Sequence, residues 1–413
     1  MVSILSSPIE LPSGLVLPNR LVKAAMAEGM ATDSDPTDKH ISAYTTWGSG
    51  GWGSIMTGNV EVSPVYRESN DTVLAKPSPS PTTLSAWKSW SHATQREGSP
   101  GIVQLVHPGR QSPPKAGDRP FSAPAIAPSA IPLNIGDGLL ERVLAKVVFG
   151  TPRAMTVAEI KEVTEQFAYA AKMSYEAGFK AVELHAAHGY LLSTFLSPKF
   201  NTRTDDYGGS AAKRARIVVE TIRAVRKVVP ASFAVGLKLN SADVAGAENM
   251  EESLEQVGLI AAEQIDFLEI SGGTYENPTM STGNVKSKRT KDREAFFLDY
   301  AQAVRERHPN LILMVTGGFR SREGMENALK SGACDLIGVA RPAAIWPHWP
   351  KETLLNEKVK DEEAIQSLDP VRPHWLLRMI PLRLINIGAD SLYYAKQIGV
   401  IARGGIPVPP PKY

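Results

Sequence analysis

Short, almost unbroken apolar runs recur along the chain, with helical stretches between them. They are Leu21 to Met26, Gly53 to Val60, Gly101 to Val106, Phe179 to Leu184, Phe233 to Leu239, Phe267 to Ile270, Leu311 to Val315 and Asp335 to Val339. Few of them alternate polar with apolar positions, so they read as strands buried on both faces, as in a parallel sheet covered by helices. Eight such runs predict an α/β fold, a closed (β/α)8 TIM barrel.

The intervening helices are punctuated at their ends. Thr156 to Glu159 forms a capping box, after which Val157, Ile160, Val163, Phe167, Ala170 and Ala171 lay an apolar stripe that stops at Gly178. Ser210 is placed to cap a helix carrying Ile217, Val218, Ile222 and Val225, and Ser321 one that ends at Gly332. Two stretches exceed a minimal barrel. Ser112 to Met155, rich in Pro, Ala and Gly, predicts a long excursion after strand 3 over one barrel mouth; the segment after Pro347 predicts a C-terminal helical extension ending in an extended proline run. The expected organisation is a barrel over 1–350 and an extension over 351–413, packed on the barrel or trailing from it. Gly48 to Gly53 matches G-x-G-x-x-G but precedes a strand instead of following one, so it reads as a turn and not as a dinucleotide loop.

Composition narrows the function classes only modestly. At 413 residues with 43% hydrophobic and 21% charged positions and a net charge of +2, nothing favours nucleic acid or an anionic membrane as partner. A lone cysteine, Cys334, leaves no disulfide framework and no cysteine-ligated iron–sulfur cluster. With no signal-like N-terminus and no apolar run near membrane-span length, a cytoplasmic protein is expected, with a homo-oligomer as an option.

Candidate chemistry gathers at the C-terminal ends of the strands, where barrels of this kind place their sites. His185, His188 and Tyr190 follow the fourth strand closely, which puts two imidazoles and a phenol in one small volume, suited to gripping a carbonyl oxygen and supplying a proton. Glu183 with these histidines could instead hold a metal, although no second Cys or His cluster supports one. Gly317 and Gly318 allow close backbone approach, Ser321 starts a helix behind them, and Arg341 can bind oxygens bidentately, together a phosphate site. Gln104 offers an amide edge to a heterocycle and Lys238 a cation for developing negative charge.

These segments resemble the old yellow enzyme family of FMN-dependent ene reductases, in its NADH:flavin oxidoreductase branch. The likeness runs from about Leu5 to Pro350 and rests on Leu17 to Val22, Thr57 to Val60, Gln104 to Arg110, His185 to Ser210, Lys238 to Asp243 and Asp335 to Arg341. The resemblance implies non-covalent FMN, NAD(P)H as hydride donor and a small α,β-unsaturated carbonyl as substrate. It assigns Ala24, Ala25, Met26, Ala27, Asn59, Gln104 and Lys238 to the flavin ring, and Gly317, Gly318, Ala340 and Arg341 to its phosphate. His185 and His188 would bind the substrate carbonyl, Tyr190 would donate the proton, and Asn201 to Gly209 would be architectural. The chain departs from the family where Ala27 replaces a Thr or Cys, Gly29 a substrate-pocket Tyr, and Lys238 a frequent Arg. Pocket specificity is expected in the excursion and in the loop after Gly273. The rival readings are a flavin-dependent dehydrogenase or isomerase of a biosynthetic pathway on the same site, a metal-dependent barrel hydrolase, and a flavin-storage protein.

Overall fold

Eight parallel strands close on themselves, and each begins within two residues of the start of an apolar run in the sequence. They are β1 (Leu21–Lys23), β2 (Ser54–Glu61), β3 (Gly101–Val106), β4 (Ala181–Ala186), β5 (Ala234–Asn240), β6 (Phe267–Ser271), β7 (Leu313–Thr316) and β8 (Leu336–Val339). Each pairs with its neighbours in chain order, and β8 pairs with β1 to complete the ring. The computed structural model describes residues 3–136, 138–241, 250–272, 288–371 and 383–411. The loop after Gly273, and Ala242 and Asp243 of the motif that begins at Lys238, lie outside these residues.

Inside the ring the side chains form two unlike zones. The floor is apolar: Val22, Met56, Ile102, Ala181, Ala234, Phe267, Met314 and Leu336 pack together, and Leu11 and Leu17 at the antiparallel pair Ile9–Glu10 and Val16–Leu17 cover them from below. Removing the larger of these side chains, Val, Ile, Leu, Met and Phe, from water contributes roughly 1.5–3 kcal/mol each. Above the floor come the buried polar residues Gln104, Glu183, His185, Lys238 and Glu269. Register sets this layering, because Gln104 stands opposite Glu183, and Lys238 stands between His185 and Glu269.

The helices cover the outside: α1 (Asp38–Gly48), α2 (Pro81–Thr94), α3 (Val157–Glu176), α4 (Ala211–Val228), α5 (Met250–Ala261), α6 (Lys288–Arg307), α7 (Arg322–Lys330) and the short α8 (Arg341–Ile345). The expected caps are present. Thr156 Oγ1 accepts from Glu159 N at 3.2 Å while Glu159 accepts from Thr156 N at 2.8 Å, and Ser210 and Ser321 accept from Lys213 N and Gly324 N. The Gly48 to Gly53 stretch is a close-packed turn into β2: a Cβ on Gly50 would lie 2.2 Å from Pro347 O.

The excursion after β3 contains a helix, Leu139–Val148, and a short parallel pair, Ile126–Ala127 with Arg153–Ala154. Arg203 ties it to the barrel by donating to Pro128 O and Met155 O, and Asn201 holds its own turn through Phe195 O and Tyr207 O. In the C-terminal extension, α9 (Arg383–Ala402) packs against α1 and α8 and buries Tyr394, Ile398 and Ile401. The proline-rich end is partly exposed, with Pro410 buried, and is held in place: Val408 N donates to Gln397 Oε1 and Tyr393 Oη donates to Val408 O. Among the described residues no helix is long and apolar enough to cross a membrane.

Candidate active site

The strand β4 runs through Ala186, so Glu183 and His185 share its inward face, and the chain then turns sharply. His188 and Gly189 both adopt positive φ, 59° and 78°, and so His188 swings back beside His185. A non-glycine residue in this region is held at some cost, and the clamp is Asn240, whose Oδ1 accepts from His188 N at 2.6 Å. Leu191 N donates to His107 O, fixing the far side of the turn. The rings of His185 and His188 lie 4.9 Å apart edge to face, and those of His185 and Tyr190 4.7 Å apart.

The hydrogen bonds define protonation. His185 Nδ1 accepts from Ala187 N at 3.2 Å, so the proton of the neutral ring sits on Nε2, a donor. Burial holds both imidazoles neutral, well below the usual histidine range, with Lys238 adding repulsion against protonating either ring. His188 Nε2 lies 3.2 Å from Ser271 Oγ at the end of β6. Tyr190 Oη donates to Glu68 Oε1 at 2.9 Å, and Asn59 Nδ2 reaches both Tyr190 Oη at 3.1 Å and Glu68 Oε2 at 3.0 Å. Asn59 thus stands beside the phenol, a position that its flavin assignment from sequence does not convey.

Sequence reading missed Glu68 altogether. It lies in a loop with no motif around it, and only the fold brings it to Tyr190. It also missed Glu28, which is buried and accepts from Gly58 N at 2.9 Å and from Tyr44 Oη, pinning the segment after β1 against β2. Next to Glu28, Ala27 is exposed and Gly29, also exposed, has φ 61°. A tyrosine at Gly29 would be strained, and its Cβ would lie 3.1 Å from Asp71 Oδ2. Ala24 is buried and donates its N–H to Val339 O, while Ala25 and Met26 are half-buried.

Deeper in the mouth, Gln104 donates to Glu183, and Lys238 Nζ lies 2.7 Å from Glu269 Oε1. Across the barrel, Gly317 (φ 141°) and Gly318 (φ 80°) follow β7 and lead to Ser321 at the start of α7. Gly338 opposite must be glycine, since a Cβ there would fall 1.8 Å from Thr316 Oγ1. Arg341 at the start of α8, after Ala340, forms an ion pair with Asp390 of α9 at 3.1 Å.

This set fits a flat, phosphate-bearing cofactor. Thr316 Oγ1 is buried with no partner among the described residues, glycines line the β7 and β8 ends, and the Lys238 ammonium lies within ion-pair distance of Glu269. Glu183 Oε2 is taken by Gln104, and among the described residues no group of His, Cys, Asp and Glu has metal-site geometry.

The sequence profile of the NADH:flavin oxidoreductase / NADH oxidase family matches residues 5–360. The chain is 42% identical over 392 residues to the NADH-dependent flavin oxidoreductase iliE of Hypocrea jecorina (strain QM6a), covering 94% of this chain and 98% of that protein. It is 43% identical over 408 residues to the NADH-dependent flavin oxidoreductase iccE of Talaromyces variabilis, covering 97% and 99%. Among solved structures it is similar to morphinone reductase in complex with tetrahydroNAD, at TM-score 0.70 and 25% identity, covering 89% of this chain and 93% of that one.

Proposed function

The chain belongs to the NADH:flavin oxidoreductase / NADH oxidase family as an FMN-dependent, nicotinamide-driven oxidoreductase of the old yellow enzyme type, and on that premise we propose that it reduces the activated C=C bond of α,β-unsaturated carbonyl compounds. The observation that carries this reading is the contact cluster of His185, His188 and Tyr190, two neutral donors and one phenolic acid. Bound FMN supplies the hydride chemistry between nicotinamide and substrate. Ala24 to Ala27, Gln104 and Lys238 would hold its ring system, and Gly317, Gly318, Ala340 and Arg341 its phosphate.

The protein's own groups account for the remaining steps. His185 Nε2–H, with its tautomer set by the Ala187 N–H, donates to the substrate carbonyl oxygen, and His188 donates beside it. Donors aimed where negative charge develops contribute on the order of 3 kcal/mol each. Tyr190 gives its proton to Cα, and Asn59, bound at the same oxygen, stabilises the phenolate left behind. The Glu68 carboxyl at 2.9 Å provides the route by which Tyr190 regains a proton.

Tyr190→Phe tests this directly in stopped flow. Flavin reduction by NADH or NADPH should proceed at the wild-type rate, while reoxidation by a cyclic enone should slow by roughly 10²–10⁴, the usual loss for a general acid. An unchanged enone rate would remove Tyr190 from the role. Turnover of a carbonyl substrate without net nicotinamide consumption would instead favour a redox-neutral isomerase on the same site.

A further inference from the structure

Glu183 and Glu269 are carried by the strands on either side of β5, at the levels of Gly236 and Lys238. Each is fully buried, with no exposed surface. Both carboxylate oxygens of Glu269 are buried with no hydrogen-bond partner among the described residues. Level with Glu183, strand β5 carries Gly236, so it presents no side chain between them there. Lys238 Nζ, 2.7 Å from Glu269 Oε1, is the cation of the cluster, and Gln104 supplies the one amide donor, to Glu183 Oε2. Glu183 Oε1 has no donor among the described residues.

Two fully buried carboxylates flanking one strand, with oxygens that no donor satisfies, cannot both ionise cheaply, and one proton converts their repulsion into attraction. Burial, followed by the neighbouring Glu269, pushes the Glu183 carboxyl well above the usual range. We propose that Glu183 and Glu269 share a single proton, so that one carboxylate charge and not two stands against Lys238 and sets the reduction potential of the bound flavin. The pair acts through Lys238 and positions it. The inference rests on the reading that FMN lies against Lys238.

Charge counting supplies a test with distinct outcomes. The wild-type cluster of two carboxyls, one proton and Lys238 is neutral. Glu183→Gln and Glu269→Gln each leave one carboxylate against the lysine and stay neutral, whereas the double variant leaves the lysine unopposed. The midpoint potential of bound FMN should therefore stay close to wild type in both single variants. In the double variant it should rise by about tenfold in the reduction equilibrium, roughly 30 mV for a two-electron couple. A carboxylic-acid C=O band should appear in the infrared spectrum of the wild-type protein at neutral pH and be absent from both single variants. Potentials that rise in each single variant and add in the double would mean that both carboxyls are ionised. Identical potentials in all four proteins, with the acid band persisting in the single variants, would mean that both are protonated. Either result overturns the proposal. Lys238→Met separates this from the underlying reading: if its FMN dissociation constant and potential match wild type, FMN does not lie against Lys238, while the infrared arm still decides the shared proton.

Discussion

His107, His185 and His188 show how burial sets charge one residue at a time. All three are held neutral, His107 with its pKa lowered to about 3 by burial and its Nδ1 accepting from Gly109 N. A histidine whose folded pKa lies below the unfolded value near 6.5 is protonated first in the unfolded chain. Its contribution is therefore complete above about pH 6.5 and is lost as pH falls below it. The slope is about 1.4 kcal/mol per pH unit for each such histidine, until the folded pKa is reached. His107→Asn keeps an acceptor for Gly109 N and removes the titration, so urea midpoints measured from pH 7 to pH 4 should fall less steeply than in wild type. Parallel acid limbs would mean that His107 is charged in the folded protein.

Between elements, the Arg341–Asp390 pair links the end of the barrel sheet to the C-terminal helix. The pair is only partly buried, and burial raises the Asp390 carboxyl while Arg341 lowers it. Asp390→Asn removes the counter-charge from the proposed phosphate ligand. FMN should then bind more tightly, by up to about fivefold for a pair worth no more than ~1 kcal/mol. Fluorescence titration of apoprotein with FMN reads this. Weaker binding would show that Asp390 orients Arg341 and that α9 is part of the cofactor site.

At the scale of the molecule, the sealed apolar floor and the polar mouth above it are separate zones of one closed sheet. The floor supplies stability without FMN, and the mouth exposes Ala27 and Gly29 and leaves Thr316 Oγ1 unpartnered among the described residues. Apoprotein should accordingly remain folded, and FMN at 100 times its dissociation constant should add about 2.7 kcal/mol by mass action. Calorimetry of the two forms checks this. Apoprotein without a cooperative transition would show that the flavin is needed to close the barrel.

The sequence alone determined the eight strands, the caps at Thr156, Ser210 and Ser321, and the grouping of His185, His188 and Tyr190. Each of these is carried by local periodicity, by a side chain bonding its own helix end, or by residues a few positions apart. It also indicated which strand ends carry amides, glycines and cations, because a parallel barrel gathers those ends at one mouth. Only the tertiary structure decided that Glu68 meets Tyr190, that Glu28 pins the segment after β1, that Asp390 pairs with Arg341, and that Glu269 pairs with Lys238. Those contacts join residues dozens to more than a hundred positions apart. Each depends on strand register and loop path, which no local pattern encodes: a carboxylate in a loop or an inward strand position looks the same in sequence whether water or a partner side chain awaits it.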